Sequence, residues 1–412
     1  MKKLYTSASL YLFFAICWLT YFSTYLGRLN FTASIAEIQL ADHLSKSALG
    51  QVASVFFVAY GVGQLCSGFL ADRFPPHLLV GGGLLGSAVL NAGMALSGGI
   101  GAMTVLWGLN GLVQSLVWAP LVRTVVDLTQ GEHCVKICLH LATTTPAGTL
   151  AAYGVSSVCI AMGSWRYSFW LGAVFMAAAA IVWLLGVSTL KRNKCQDALP
   201  DASEPSAPRT ASHPLRMVLP SLIPICAAVF LHGLLKDGIL TWTPSYLQES
   251  FGFPSAVSVA LTLIVPVVNL SGVYLARAVQ EKWLHNETVT GLLFFVLCGA
   301  AAGGWWLAGR FSLPVTLIML LVSTTCMTGV STMLLSLLPL HYRSLGLTAT
   351  LTGLFNASTY LGSAFSGAGF GMLSETGGWG MVLAFWCVLS LAGAVACAVG
   401  KYTTRRMLHP SP

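Results

Sequence analysis

Residues 21–28 read Tyr-Phe-Ser-Thr-Tyr-Leu-Gly-Arg, and residues 229–236 read Val-Phe-Leu-His-Gly-Leu-Leu-Lys. Each is an apolar run that ends on a cation. Placing Arg28 over Lys236 also places Phe22 over Phe230 and Leu26 over Leu234. At a similar offset, Gly68-Phe69-Leu70-Ala71-Asp72-Arg73 lies over Gly272-Val273-Tyr274-Leu275-Ala276-Arg277. Two matches at nearly one spacing point to an internal repeat, and so to a chain of two related halves. An unpaired cation at the centre of a bilayer costs at least ~2.5–3.5 kcal/mol. Two of them at corresponding places suggest a central site that binds an anion.

The surrounding composition sets the class. Hydrophobic residues make up 56% of the 412 and charged residues 8%, with a mean hydropathy of +0.76. Soluble domains carry about 25% charged residues, so lipid must solvate most of this chain. Apolar stretches of roughly the ~20 residues that cross a bilayer as a helix recur near 10–40, 47–70, 78–98, 101–125, 135–160, 167–189, 217–248, 255–278, 288–308, 313–339, 345–372 and 379–400. The expected fold is therefore an all-α integral membrane protein with twelve transmembrane helices. Lys2 and Lys3 precede the first run as in a signal peptide, but the run is too long and ends on no clear cleavage site, so it reads as a retained helix. The runs are continuously apolar and do not alternate, which excludes a membrane barrel.

Basic residues orient the chain. With both termini cytoplasmic, the inner segments hold sixteen Lys and Arg, and the outer connections hold only Lys46, Arg166 and Arg310. The expected location is the plasma (cytoplasmic) membrane, crossed many times. The net charge of +8 follows from this topology and needs no nucleic acid. Most of the eleven cysteines, such as Cys17, Cys159 and Cys387, lie within apolar spans as small hydrophobes. Cys134 and Cys138 are four apart with no second pair to complete a zinc set. No metal and no cofactor is expected.

Residues 190–216 interrupt the pattern. Lys191-Arg192-Asn193-Lys194 leads into a polar, proline-rich stretch of the kind that forms linkers. It separates an N-terminal six-helix bundle, 1–189, from a C-terminal one, 217–412. Two pseudo-symmetric six-helix bundles with a cytoplasmic linker describe an alternating-access transporter, its substrate site near the bilayer midplane. A helix over 10–40 would be ~45 Å long, and Arg28 falls a little past its middle, too deep to snorkel to an interface.

Gly68-x-Leu70-Ala71-Asp72-Arg73-Phe74, at the cytoplasmic end of the second span, resembles the loop signature of the major facilitator superfamily. By that resemblance Asp72 and Arg73 belong to an interhelical charge cluster that holds one conformation, with Asp127 a partner for Arg73. An ordinary turn with inside-positive charges is the alternative. A narrower resemblance, to the organophosphate:phosphate antiporter family, rests on four helices. Its elements are Tyr21-x3-Tyr25-x2-Arg28-x-Asn30-Phe31, then Ser47-Ala48-Leu49-Gly50 with Ala59-Tyr60-Gly61. Gln114-x3-Trp118-Ala119-Pro120-x2-Arg123-Thr124 follows, and then Lys236-x-Gly238-Ile239-Leu240-x-Trp242-x-Pro244-x-Tyr246-Leu247.

The resemblance implies that Arg28 and Lys236 grip a substrate phosphate. Arginine offers a planar bidentate fork and lysine a compact charge with three donors. Tyr21, Tyr25 and Arg28 are spaced four and three apart, which places them on one helix face, where phenols can reach phosphate oxygens. Tyr60, Trp118 and Gln114 are candidate pocket walls; Tyr360, a further candidate contact, forms a polar break in the eleventh span with Asn356 and Ser358. His232 lies one turn before Lys236 and shares its face, as a substrate contact, a titrating group or a packing residue. The alternative for Arg28 is a structural ion pair with Glu37. Asp237, beside Lys236, either neutralises the local charge or carries a coupling proton. Thr143 to Pro146 form a polar break in the fifth span.

Departures matter. Lys236 stands where glycerol phosphate carriers of the family have an arginine, Gln64 where they have a lysine, and Thr144 near a histidine. The site is thus less cationic. The expected function is exchange of a small organic phosphate, a glycerol phosphate or sugar phosphate, for inorganic phosphate, by a transporter and not an enzyme. The family expectation is a monomer. Two alternatives stay open: a proton- or cation-coupled symporter of organic carboxylates or other anions, using Asp237 or His232, and a membrane-bound phosphate-ester sensor.

Overall fold

The computed structural model describes residues 7–129, 137, 140–141, 143–197, 213–308, 312–345 and 348–408. Cys134, Cys138 and the linker residues 198–212 lie outside these, as does the side chain of Asp72. Among the described residues the chain is helical, without strands. Its helices are α1 (Ser7–Leu26), α2 (Leu29–Ala41), α3 (Lys46–Arg73), α4 (Pro76–Leu96), α5 (Ile100–Leu128), α6 (Thr144–Ala161) and α7 (Arg166–Asp197). After the linker come α8 (His213–Phe251), α9 (Ser255–Leu261), α10 (Ile264–Val279), α11 (Glu287–Ala308), α12 (Leu313–Ser331) and α13 (Thr348–Leu408).

Among the described residues ten segments are long and apolar enough to cross a bilayer. One of them, Leu351–Thr403, has 53 residues and would extend ~80 Å as a single helix, far beyond the ~30 Å hydrocarbon layer. It turns at Gly378, whose φ of 70° and ψ of 177° belong to a region essentially confined to glycine. Dividing it there, and counting the 18-residue α6, gives the twelve spans expected from the sequence.

The first span differs from expectation. It is not one helix over 10–40 but two, α1 and α2, with Gly27 and Arg28 in a turn between them. The span at 255–278 is likewise interrupted, at Thr262 and Leu263.

By contacts the chain forms two compact units, 1–33 with 62–209, and 34–61 with 210–412. In the first, α4 packs between α5 and α7, and α1 lies on α6 and α7. Its core includes Phe13, Cys17, Leu84, Val117 and Trp183, and the Trp183 indole donates to the His77 carbonyl at 2.9 Å.

In the second unit α8 and α13 make the most extensive pairing. It is close because glycines face backbone: Gly233 abuts the Thr359 carbonyl, and Gly362 abuts the Phe230 carbonyl. Small residues at crossings let membrane helices approach in this way. The segment 34–61, which the repeat assigns to the first half, packs in this unit too. Gly50 and Gly367 meet through their carbonyls, and Gly371 lies against the Lys46 carbonyl. Ser54 Oγ accepts the Ala368 N–H at 3.0 Å.

Candidate functional site

Three aromatic residues and a cation gather in the first unit. Tyr21 and Tyr25 meet edge to face, with ring centroids 5.6 Å apart. Tyr21 lies 4.5 Å from Trp118 on α5. The Arg28 guanidinium carbon sits 4.5 Å from the centre of the Tyr25 ring, within the range of a cation–π contact. The expected grouping of Tyr21, Tyr25 and Arg28 therefore survives the break at Gly27, and Trp118 joins it.

Local chemistry explains why α1 can present this face. Its hydroxyls are satisfied within the helix: Ser23 Oγ donates to the Thr20 carbonyl at 2.8 Å, and Thr24 Oγ1 to the Tyr21 carbonyl at 2.7 Å. The Tyr25 phenol shares a 2.8 Å hydrogen bond with Thr145 Oγ1. The Trp18 indole donates to Thr143 Oγ1 at 2.9 Å. The polar break of the fifth span is thus the docking point for α1. Thr145 satisfies a neighbouring helix, as polar groups within membrane spans often do.

In the second unit, Lys236 and Asp237 lie on adjacent positions of α8. Lys236 Nζ is 3.8 Å from Asp237 Oδ1, a long ion pair. The second carboxylate oxygen is held from another helix, since Ser363 Oγ donates to Asp237 Oδ2 at 2.5 Å. Asp237 is thereby fixed to α13, while the Lys236 side chain is 47% exposed. Ser363 was not foreseen; nothing in its apolar surroundings marked it as the partner of an acid. Ser358 Oγ donates to the Leu354 carbonyl of its own helix at 2.9 Å.

His232 is fully buried, and neither ring nitrogen has a hydrogen-bond partner among the described residues. Tyr60 is buried at 3% and meets Tyr360 at 4.9 Å between centroids, so these two pocket candidates form one aromatic pair within the second unit. Gln114 is also buried, and its amide donates to the Gly27 carbonyl at 3.0 Å. It supports the chain turn.

Of the expected charge cluster, the Asp72 side chain lies outside the described residues. Asp127 Oδ1 accepts from Arg123 Nε at 3.2 Å within α5, and Arg73 is exposed at the end of α3. Among the described residues no group of His, Cys, Asp and Glu is arranged to hold a metal.

The Major Facilitator Superfamily profile matches residues 17–367. A glycerol-3-phosphate transporter of Bacillus subtilis is 24% identical over 440 aligned positions, covering 99% of this chain and 96% of that protein. A probable hexose phosphate transport protein of Chlamydia trachomatis is 22% identical over 417 positions, covering 92% and 88%. The membrane sensor protein UhpC of Escherichia coli is 35% identical, over 97 residues that cover 24% of this chain and 22% of that protein.

Proposed function

Because this chain belongs to the Major Facilitator Superfamily, a family of membrane transporters, we propose that it carries a small organic phosphate, a glycerol phosphate or sugar phosphate, in exchange for inorganic phosphate. Arg28 carries this reading. It sits in the turn of the first span, its guanidinium against Tyr25, and offers a bidentate fork for phosphate oxygens. The full-length relatives named for glycerol phosphate and hexose phosphate transport support the substrate class.

In this reading Arg28 and Lys236 both hold the anion, and Tyr21, Tyr25 and Trp118 flank it. Transport proceeds by alternating access, with residues 1–189 rocking against 217–412 in the plasma membrane and both termini cytoplasmic. A bound anion engages both cations and lowers the barrier to closure. Either anion then permits the crossing and an empty carrier does not, which is exchange. The carrier acts as a monomer.

Labelled phosphate counterflow in proteoliposomes, against glycerol phosphates, sugar phosphates and carboxylates, tests this. Phosphate esters should drive counterflow, and Arg28→Ala should abolish it. Counterflow driven by carboxylates alone, or retained by Arg28→Ala, overturns the reading.

A second reading is favoured by one contact. Asp237, bound by Ser363, sets an acid 3.8 Å from the proposed anion-binding Lys236, a pairing of acid and cation that a cation-coupled carrier could use. This would make the protein a proton-coupled symporter. Uptake driven by a pH gradient into vesicles without internal phosphate distinguishes it from exchange.

A further inference from the structure

The turn that carries Arg28 is gripped from behind. The Gly27 carbonyl accepts three side-chain amides: Asn91 Nδ2 at 3.1 Å, Asn110 Nδ2 at 2.9 Å and Gln114 Nε2 at 3.0 Å. A carbonyl has two lone pairs, so three donors saturate it. The three side chains come from α4 and α5 and are buried, at 0%, 0% and 3%.

A second layer fixes the first. Asn91 Oδ1 accepts from Asn30 Nδ2 at 2.8 Å. Ser87 Oγ donates to Asn110 Oδ1 at 2.5 Å and accepts from Gln114 Nε2 at 2.9 Å. In an unbroken helix the Gly27 carbonyl would meet the N–H of Phe31. That N–H instead bonds Asn30 Oδ1 at 3.0 Å. Both sides of the missing helical bond are therefore satisfied by side chains.

Gln114 shows where the priority lies. Its Oε1 is buried without a hydrogen-bond partner among the described residues, an arrangement that costs stability. The amide keeps both of its donor bonds, to Gly27 and to Ser87, and leaves the acceptor unmet.

We propose that Asn91, Asn110 and Gln114 are positioning residues for the anion site. They hold the first span broken at Gly27, and the break aims Arg28. This inference rests on Arg28 being the cation that binds phosphate. A guanidinium fixed before the anion arrives binds it without first having to be ordered. If the grip is loosened, the turn can revert toward a continuous helix and Arg28 loses its aim while keeping its charge.

The test is inorganic phosphate counterflow by wild type, Arg28→Ala, Arg28→Lys, Asn110→Ala, Gln114→Ala and Ser87→Ala, with the last two alanines repeated in the Arg28→Lys background. Asn110→Ala and Gln114→Ala are expected to raise KM about tenfold with maximal rate changed less than about twofold, the pattern of lost orientation. Ser87→Ala leaves all three donors on Gly27 and should raise KM about threefold, providing a milder variant if the others fold poorly. In the Arg28→Lys background Gln114→Ala and Ser87→Ala should add little, because the aim they secure is already wasted on a side chain without a fork.

Loss of Arg28 without effect would sink the phosphate reading and this inference with it. If Arg28→Ala abolishes counterflow but folded Gln114→Ala and Ser87→Ala keep the wild-type KM, the phosphate reading stands and the positioning role is refuted. Equal losses of maximal rate in both backgrounds would also refute it, since they indicate a purely structural effect.

Discussion

Lys46 Nζ and Glu249 Oε2 form a 2.7 Å ion pair although 203 residues separate them. The same carboxylate oxygen accepts the Trp379 indole N–H at 2.9 Å, and Lys46 lies 4.9 Å from the Trp379 ring centre. One oxygen thus gathers a cation and an indole from the start of α3 and from α13. The Lys46 side chain is only 9% exposed.

Glu249→Gln leaves that lysine buried without its counterion, which costs on the order of 1–3 kcal/mol. In the proposed cycle this contact joins the first half of the sequence to the second and must part once per crossing. The substitution is expected to shift the conformational equilibrium by roughly 5–150-fold. A cysteine at Ser250, in a background without the native cysteines, should label faster with an impermeant maleimide. An unchanged labelling rate would show that the pair is not a latch.

The α8–α13 crossing predicts a sharp difference between two glycines of one helix. A Cβ at Gly362 would collide with the Phe230 carbonyl and come within 3.0 Å of the Leu234 nitrogen. Backbone cannot step aside as a side-chain tip can, so Gly362→Ala should lose about 1–3 kcal/mol, as overpacked sites do. Around Gly353 there is open space, and Gly353→Ala should be neutral or gain up to about 1 kcal/mol from helix propensity. Thermal unfolding in detergent measures both, and equal melting temperatures would contradict the close packing.

His232 separates packing from binding. Leucine has nearly the same volume and no polar atoms to leave unmet. Replacing an unsatisfied polar group by an apolar one of similar shape is neutral or stabilising. His232→Leu is therefore expected to keep or raise the melting temperature. A fall of several degrees would mean that the imidazole has an essential partner, such as an ordered water.

The spans were legible because length and hydropathy are local properties: each apolar run writes its own helix. The grouping of Tyr21, Tyr25 and Arg28 was legible for the same reason, through spacing. The break at Gly27 was not. Leu29–Ala41 is free of proline, and the local signals, Gly27 and Asn30, are too weak by themselves to end a helix. The cause lies in Asn91 and Asn110, isolated amides in α4 and α5 that read as incidental polar residues. Ser363 escaped notice likewise, because its role depends on a carboxylate 126 residues earlier. Asp237 itself stood out, since an acid in an apolar run needs a reason.

Gly50, Gly367 and Gly371 give the second unit a seam where main chain touches main chain. Few side chains enter it, Ser54 and Trp242 among them. If its two sides separate during transport, little side-chain rearrangement is needed before it can seal again, so reclosure is limited mainly by rigid-body motion and not by a search among conformers. The seam would act as a bearing, in which the scarcity of side chains keeps the traffic fast.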